Sequence, residues 1–222
     1  MFCSEQLQLR LGNKCPKIVH VYSEMRENED FPIPRDLMVL RNRKRKQDAI
    51  LTEIALHHLI RQEHKQHCHK IRRYDALFAR NMNTPERVTD KEIEAYQKLI
   101  TDAETEELKQ YDVILATCSA SVSARVVRGT NIAQIIMDES GMCMEPESLI
   151  PLVSFKDAKQ IVLIGDHKQL QPIVMDRDAK ILGLDQSLFE RYSYLIEENS
   201  DSAVMLDEQY RMVHFQYILY IL

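Results

Sequence analysis

The sequence predicts an α/β chain in which a parallel, doubly wound sheet is interrupted by an all-helical insertion. Three observations carry this. Short aliphatic runs recur at 18–22 (IVHVY), 112–117 (DVILAT), 133–138 (AQIIMD), 160–166 (QIVLIGD) and 203–206 (AVML). They lack clean polar alternation, as strands covered on both faces do. Helical patterns over 145–153 and around 186–194 separate some of them, and strands alternating with helices argue for parallel order. Between the first two runs, roughly residues 36–110 are highly charged and hold no strand-like run, so this stretch reads as helical.

Taken in order, the first run supplies one strand and leads into the insertion. A first inserted helix is expected over about 47–80, where Ile50, Ile54, Leu59, Ile71, Leu77 and Phe78 give a loose apolar face. Residues 81–85 (NMNTP) supply a turn. The second inserted helix starts at Thr89, which has capping-box spacing to Glu92, and continues through Ile93, Tyr96, Leu99, Ile100, Ala103 and Leu108. Three of the strand runs end at a polar or acidic residue, as strands do when their carboxyl ends face a ligand crevice.

At 222 residues and 45% hydrophobic composition, the chain can bury a core of its own. No apolar run approaches the roughly 20 residues of a bilayer span, and the first residues lack a secretory signature. The reading is a soluble, intracellular protein of cytoplasm or nucleus, with no membrane partner. Five scattered cysteines without a C-x-x-C pair fit free thiols. A net charge of -5 gives no global attraction to nucleic acid, so any phosphate contact must be local. The basic run RNRKRK at 41–46 could contact a nucleic-acid backbone, act as an import signal, or simply be solvated. His57, His58, His64, His67, His69 and Cys68 crowd one region, and His64 with Cys68 has a spacing that zinc uses. With no second pair elsewhere, a polar helix face is the reading kept. The final run HFQYILYIL reads as a truncated or aberrant end.

Three elements carry chemistry. Asp138 and Glu139 follow the strand run QIIM, placing two carboxylates where a cation would offset their charge. In phosphoryl-transfer sites the first holds Mg2+ and the second takes a proton from attacking water. Alone, the pair equally fits a strand-to-turn boundary with solvated acids. GDHKQLQP at 165–172 follows the run QIVLI: Gly165 permits a sharp turn, Asp166 adds a carboxylate, and Gln169 can bond both phosphate and water. Alone, it is also a polar loop closed by Pro172. LDEQYRM at 206–212 sets Tyr210 and Arg211 just past another aliphatic run, a flat face for a base and a permanent charge for phosphoryl oxygens. Alone, it is also the start of an amphipathic helix.

Together the three elements resemble motifs II, III and IV of superfamily 1 helicases, in the 5′-to-3′ branch that includes the nonsense-mediated-decay helicase. The resemblance covers about residues 16–212, including VYSE, FPIPR, LHHLIRQ, EPESLIPLV and LGLDQSLFERY. It implies a RecA-like fold of the P-loop NTPase type and a motor that couples Mg-ATP hydrolysis to movement on single-stranded RNA or DNA. By position, Asp138 is implied as the Mg2+ residue, Glu139 as catalytic base and Gln169 as γ-phosphate and water contact, with Asp166 supporting that loop. Tyr210 is implied near the adenine and Arg211 at the γ-phosphate. ATCSAS at 116–121 resembles the loop that lies along single-stranded nucleic acid, where Thr117, Ser119 and Ser121 would donate to phosphates. The implied organisation is a first RecA-like domain in two parts (16–35 and 111–206) around the insertion (36–110), with 207–222 opening a second, truncated one.

Two departures stand against the pattern. Ser140 replaces the usual alanine before Gly141, a small change. More seriously, no G-x-x-x-x-G-K-[ST] occurs, and the chain has only 5 glycines, so the β- and γ-phosphates lack a cradle. The chain alone is therefore expected to bind ATP poorly and not to turn it over. It would need the phosphate-loop segment and the second RecA-like domain of a parent protein. The rival reading is a RecA-like remnant that binds nucleic acid or a protein partner without hydrolysis.

Overall fold

The structure is a computed structural model, and it describes residues 15–34, 52–196 and 203–208. The basic run at 41–46, the final apolar run, Tyr210 and Arg211 lie outside these residues.

Strand β1 (Ile18–Val21) pairs in parallel with β2 (Val113–Ala116), in a register running from Ile18 opposite Val113 to Val21 opposite Ala116. Parallel neighbours cannot be joined by a hairpin, and here the crossover carries the helical insertion. Along this crossover lie α1 (Glu24–Asp30), ahead of residue 36, and then α2 (Leu56–Leu59), α3 (Cys68–Asn81), a 3-10 turn at Pro85–Arg87 and α4 (Asp90–Leu108). The capping box at the start of α4 forms as expected. Thr89 Oγ1 accepts from the Glu92 amide at 3.3 Å, and Glu92 Oε2 accepts from the Thr89 amide at 2.9 Å.

The single helix expected over 47–80 is not present in the described part of that range. The His20 amide donates to the Ile54 carbonyl at 2.8 Å and Ala55 forms a parallel bridge with His20, so the helical chain at Thr52 and Glu53 is interrupted at Ile54 and Ala55 before α2 begins. After α2 the amides of Arg61, Gln62, Lys65 and Cys68 each bond three residues back, which makes a series of tight turns before α3 begins.

The core lies between β1 and these helices. Val19, Val21, Leu56, Ile60, Ile71, Phe78, Tyr96, Leu108 and Val126 are all buried together. The insertion therefore supplies the hydrophobic partner of β1 instead of folding around a core of its own.

A second parallel pair is formed by β3 (Gln134–Met137) and β4 (Gln160–Leu163). The Lys159 amide donates to Ala133 and the Ile164 amide to Met137, both at 2.8 Å, so the register rises along both strands together. Helix α7 (Glu145–Ser154) connects them, giving a βαβ unit. One continuous sheet was expected, whereas the described residues form two separate two-stranded sheets. Nor are these strands covered on both faces: Leu115, Ile136 and Ile161 are 42%, 60% and 52% exposed, because no described layer packs over them. The run at 203–206 forms no strand, and Val204 is 83% exposed. Aliphatic composition cannot make a strand without a ladder partner.

The remaining helices are α5 (Cys118–Ser121), α6 (Ala124–Gly129), α8 (Arg177–Ile181) and α9 (Leu188–Leu195). The chain divides into two compact units: Met1–Ile136 with Pro146–Val162, and Met137–Glu145 with Leu163–Leu222. Among the described residues no helix is long and apolar enough to cross a membrane. Among the described residues no disulfide joins Cys15, Cys68, Cys118 and Cys143 to one another.

In the first unit, Arg125 of α6 is buried between two carboxylates. Its Nη1 donates to Glu27 Oε2 at 2.6 Å and Glu104 Oε2 at 2.8 Å, and its Nη2 donates to Glu27 Oε1 and the Tyr22 carbonyl, both at 2.8 Å. One guanidinium thus serves two buried acids, and the surplus charge is resolved by holding a proton. Burial first, and the neighbouring Glu104 second, push the Glu27 carboxyl up from 4.5 to about 7 despite Arg125. Burial raises Glu104 as well. A carboxyl raised on folding contributes stability below its unfolded value and loses it as pH rises through the folded one. Glu104→Gln, which leaves one acid per guanidinium, is expected to shrink, without abolishing, the fall in Tm expected of the native chain between about pH 4.5 and 7, because the burial of Glu27 remains. His57, lowered to about 4 chiefly by burial, contributes with the opposite slope, so the comparison of the two chains across pH isolates the acid pair.

Candidate functional site

The carboxyl ends of β3 and β4 lie side by side, and the loops leaving them carry four of the expected site residues. After Met137 the chain turns at Asp138 and Glu139 into a 3-10 turn at Ser140–Met142. Asp138 Oδ1 accepts from the Glu139 amide at 3.0 Å, which holds the carboxylate at the turn. Glu139 adopts φ 52° and ψ 32°, the left-handed region that non-glycine residues rarely occupy. The surroundings that keep it there are the bonds at its neighbour: the Ser140 amide and hydroxyl both donate to the Ile164 carbonyl, at 2.8 and 2.7 Å. Ser140 is buried. The serine that stands in place of the family's usual alanine therefore stitches the β3 loop to β4.

The two loops press backbone to backbone. A Cβ added to Gly165 would lie 2.7 Å from the Gly141 nitrogen, and one added to Gly141 would lie 2.8 Å from the Asp166 carbonyl oxygen. Gly165 was expected to permit a sharp turn. Its φ is not positive, and the residue is needed because a side chain would separate the loops.

Beyond Gly165, Asp166 organises its own loop. Its Oδ1 accepts from the Lys168 amide and its Oδ2 from the Gln169 side-chain amide, both at 2.8 Å. These two bonds hold the Asp166 carboxyl below its ordinary range, the Lys168 amide contributing most. With one N–H of Gln169 given to Asp166, its carbonyl oxygen and second N–H are the groups left to meet a ligand. Asp138, Glu139, Asp166 and Gln169 are all exposed and all lie in the second unit.

The carboxylates of this rim do not close on one another tightly enough to enclose a cation alone. Mg2+ keeps several waters and takes the rest of its ligands from substrate phosphates, with one or two carboxylates. Asp138 suits that role: one oxygen is fixed by the Glu139 amide and the other is open to solvent.

The hydroxyl loop lies in the first unit. Thr117 caps α5, its Oγ1 accepting from the Ala120 amide at 3.2 Å, and it stands 3.3 Å from Ser119 Oγ. Ser121 gives its proton to the Cys118 carbonyl at 2.7 Å. Thr117 and Ser119 are exposed, and one of their two hydroxyl protons lies between them, while that of Ser121 is given to the Cys118 carbonyl.

Sequence reasoning missed a set of groups in the first unit. The histidines were read as one polar helix face, yet His57 is 3% exposed on α2 and packs with His58 against Asp30. The His64–Cys68 pair does not converge on a ligand: Cys68 is buried and donates to the Glu63 carbonyl at 3.2 Å. The helical spacing that suggested this pair fails because α3 begins only at Cys68.

A family model described as "AAA domain" matches residues 9–177. The chain is 40% identical over 200 residues, 88% of its length, to the 3'-5' exoribonuclease HELZ2 of Homo sapiens, and covers 6% of that protein. It is 41% identical over 117 residues, 53% of its length, to the ATP-dependent helicase NAM7 of Saccharomyces cerevisiae, covering 11% of it. It is 35% identical over 165 residues, 74% of its length, to the regulator of nonsense transcripts 1 homolog of Neurospora crassa, covering 14% of it. The chain thus spans a small part of each relative's length. With the family model matched over most of its residues, the chain belongs to the AAA-domain family and, within it, to the superfamily 1 helicases of the nonsense-mediated-decay type.

Proposed function

We propose that this chain is the magnesium-holding and γ-phosphate-sensing part of a helicase motor that couples ATP hydrolysis to translocation on single-stranded RNA or DNA. The observation that carries the reading is the backbone contact of Gly141 with Gly165, which brings Asp138, Glu139, Asp166 and Gln169 to one rim of a parallel strand pair. Parallel α/β sheets bind ligands at that rim.

In this reading Asp138 would hold Mg2+, which would supply positive charge to offset that of the β- and γ-phosphates. Glu139 accepts a proton from the attacking water. Gln169, oriented by Asp166, presents its free amide groups to the γ-phosphate and that water, so loss of the phosphate is felt directly by the β4 loop. Tyr210 would stack near the adenine and Arg211 would reach the γ-phosphate; both lie outside the described residues. Thr117 and Ser119, with Ser121 as a buttress of the loop, would meet the backbone of the single strand without reading its sequence. Lacking a phosphate loop in its sequence, the chain alone binds ATP weakly and does not turn it over. That same absence supports a second reading, a RecA-like module that binds nucleic acid or protein without hydrolysis.

The test uses a protein that joins this chain to a phosphate loop and a second RecA-like domain. ATP hydrolysis is expected to rise on adding a single-stranded oligonucleotide, and Gln169→Ala to lower kcat about 10²-fold while single-strand binding persists. Unchanged hydrolysis in this variant would refute the sensor role, and no hydrolysis in the native protein would favour the binding module.

A further inference from the structure

A second constellation of ligand-type side chains lies in the first unit and shares no residue with the motor site proposed above. Helix α1 ends at Asp30, and α2 presents His57 and His58 in succession. The Nε2 atoms of both rings face one oxygen, Asp30 Oδ2, at 3.0 and 3.2 Å. The two rings lie with centroids 4.3 Å apart. His57 is buried, and its Nδ1 has no hydrogen-bond partner and stands 3.9 Å from Glu27 Oε1.

No neutral form of His57 satisfies this environment. With the proton on Nε2, the Asp30 bond is made, but a bare Nδ1 lone pair is buried facing the Glu27 carboxylate. With the proton on Nδ1, that edge is relieved, but the Nε2 lone pair then meets the Asp30 oxygen at 3.0 Å. A doubly protonated ring would satisfy both sides, but it would set a full charge on a ring that is only 3% exposed.

A cation between the two Nε2 atoms and Asp30 removes the conflict. His57 then carries its proton on Nδ1, directed at Glu27, in the manner of metal-bound histidines whose second nitrogen faces a carboxylate. The spacing suits this: ligand atoms about 2.0–2.2 Å from a shared ion stand about 3 Å apart. The donor set selects the ion, because two imidazoles and one carboxylate match a borderline divalent transition metal and not Mg2+ or Ca2+, which take oxygen. Two guanidinium groups lie close by without occupying the shared oxygen: Arg26 Nη1 stands 4.0 Å from the other oxygen, Asp30 Oδ1, and Arg61 is engaged by Asp75 at 2.8 Å and lies over the Phe31 ring.

We propose that Asp30, His57 and His58 form a binding site for one divalent transition ion of the zinc class, with the fourth position left to water. Its effect would be structural. The ion clips the end of α1 to α2, and α2 follows the extended segment already bonded to β1 through His20.

The test takes the whole chain stripped with a chelator, titrated with Zn2+ by calorimetry and with Co2+ as a spectroscopic probe. One ion is expected to bind per chain, with Co2+ bands of a nitrogen and oxygen site and no thiolate charge transfer. Zn2+ should raise Tm, as any ligand specific to the folded state does. His58→Gln, at a partly exposed position, and Asp30→Asn should each weaken Zn2+ binding at least about 10-fold, with circular dichroism reporting that each folds, and His64→Gln should not. Absence of a bound ion, binding that survives both His58→Gln and Asp30→Asn, or a thiolate band would overturn the proposal.

Discussion

Arg125→Met is expected to destabilise the first unit by about 3–5 kcal/mol, the cost of removing one partner from a buried ion pair. Arginine at this position touches three separate pieces of chain: Glu27 on α1, Glu104 on α4 and the Tyr22 carbonyl after β1. Methionine fills much of the space but leaves the two buried carboxylates without their bonded guanidinium, with only Arg61 still opposing their protonation. For a chain of this size, a loss of about 3–5 kcal/mol corresponds to a fall in Tm of roughly 6–20 °C. Thermal melts by circular dichroism measure it. The triple replacement of Arg125, Glu27 and Glu104 by well-packed apolar residues should recover most of the loss, because exchanging a whole buried ionic group is often neutral. A triple variant as unstable as Arg125→Met would show instead that the shape of the guanidinium, not its charge, is what the site requires. Helix α6 follows directly on the Thr117–Ser121 turn, so the single variant should also loosen that loop, read as faster amide exchange at Ala120.

The second large effect concerns chemistry. In a protein carrying this chain together with a phosphate loop and a second RecA-like domain, Glu139→Gln should lower kcat for ATP hydrolysis by about 10²–10⁴-fold, the range for losing a positioned general base. ATP affinity should be retained. The substitution keeps the size of the side chain and does not alter the backbone, so the left-handed turn at Glu139 and the Ser140 bonds to Ile164 remain. A structural role would instead appear as lost stability and weakened binding together. Normal hydrolysis after Glu139→Gln would remove Glu139 from the mechanism and leave the adjacent acids as a solvated strand end.

Much of the candidate site was legible in sequence because its signals are local. Asp138 and Glu139 follow an aliphatic strand immediately, and Asp166 and Gln169 follow another, so the strand ends set their placement at one rim. The Thr89–Glu92 capping box was legible for the same reason: both of its hydrogen bonds close within three residues. The pairing of the two loops was not legible, since it depends on Gly141 and Gly165 meeting without side chains.

By itself, then, the amino-acid order determined which segments become β1 to β4, where α4 starts, and which acids and amide stand at the strand ends. Only the tertiary structure decided that the strands form two pairs, that the inserted helices are the core of β1, and that the chain breaks from helix at Ile54 and Ala55 to bond to β1. It also decided that Arg125 joins acids 98 and 21 residues away and that Asp30 meets two histidines. The physical reason is range: helix caps and strand periodicity act over a few residues and leave a pattern, whereas buried charges find partners wherever packing brings them together.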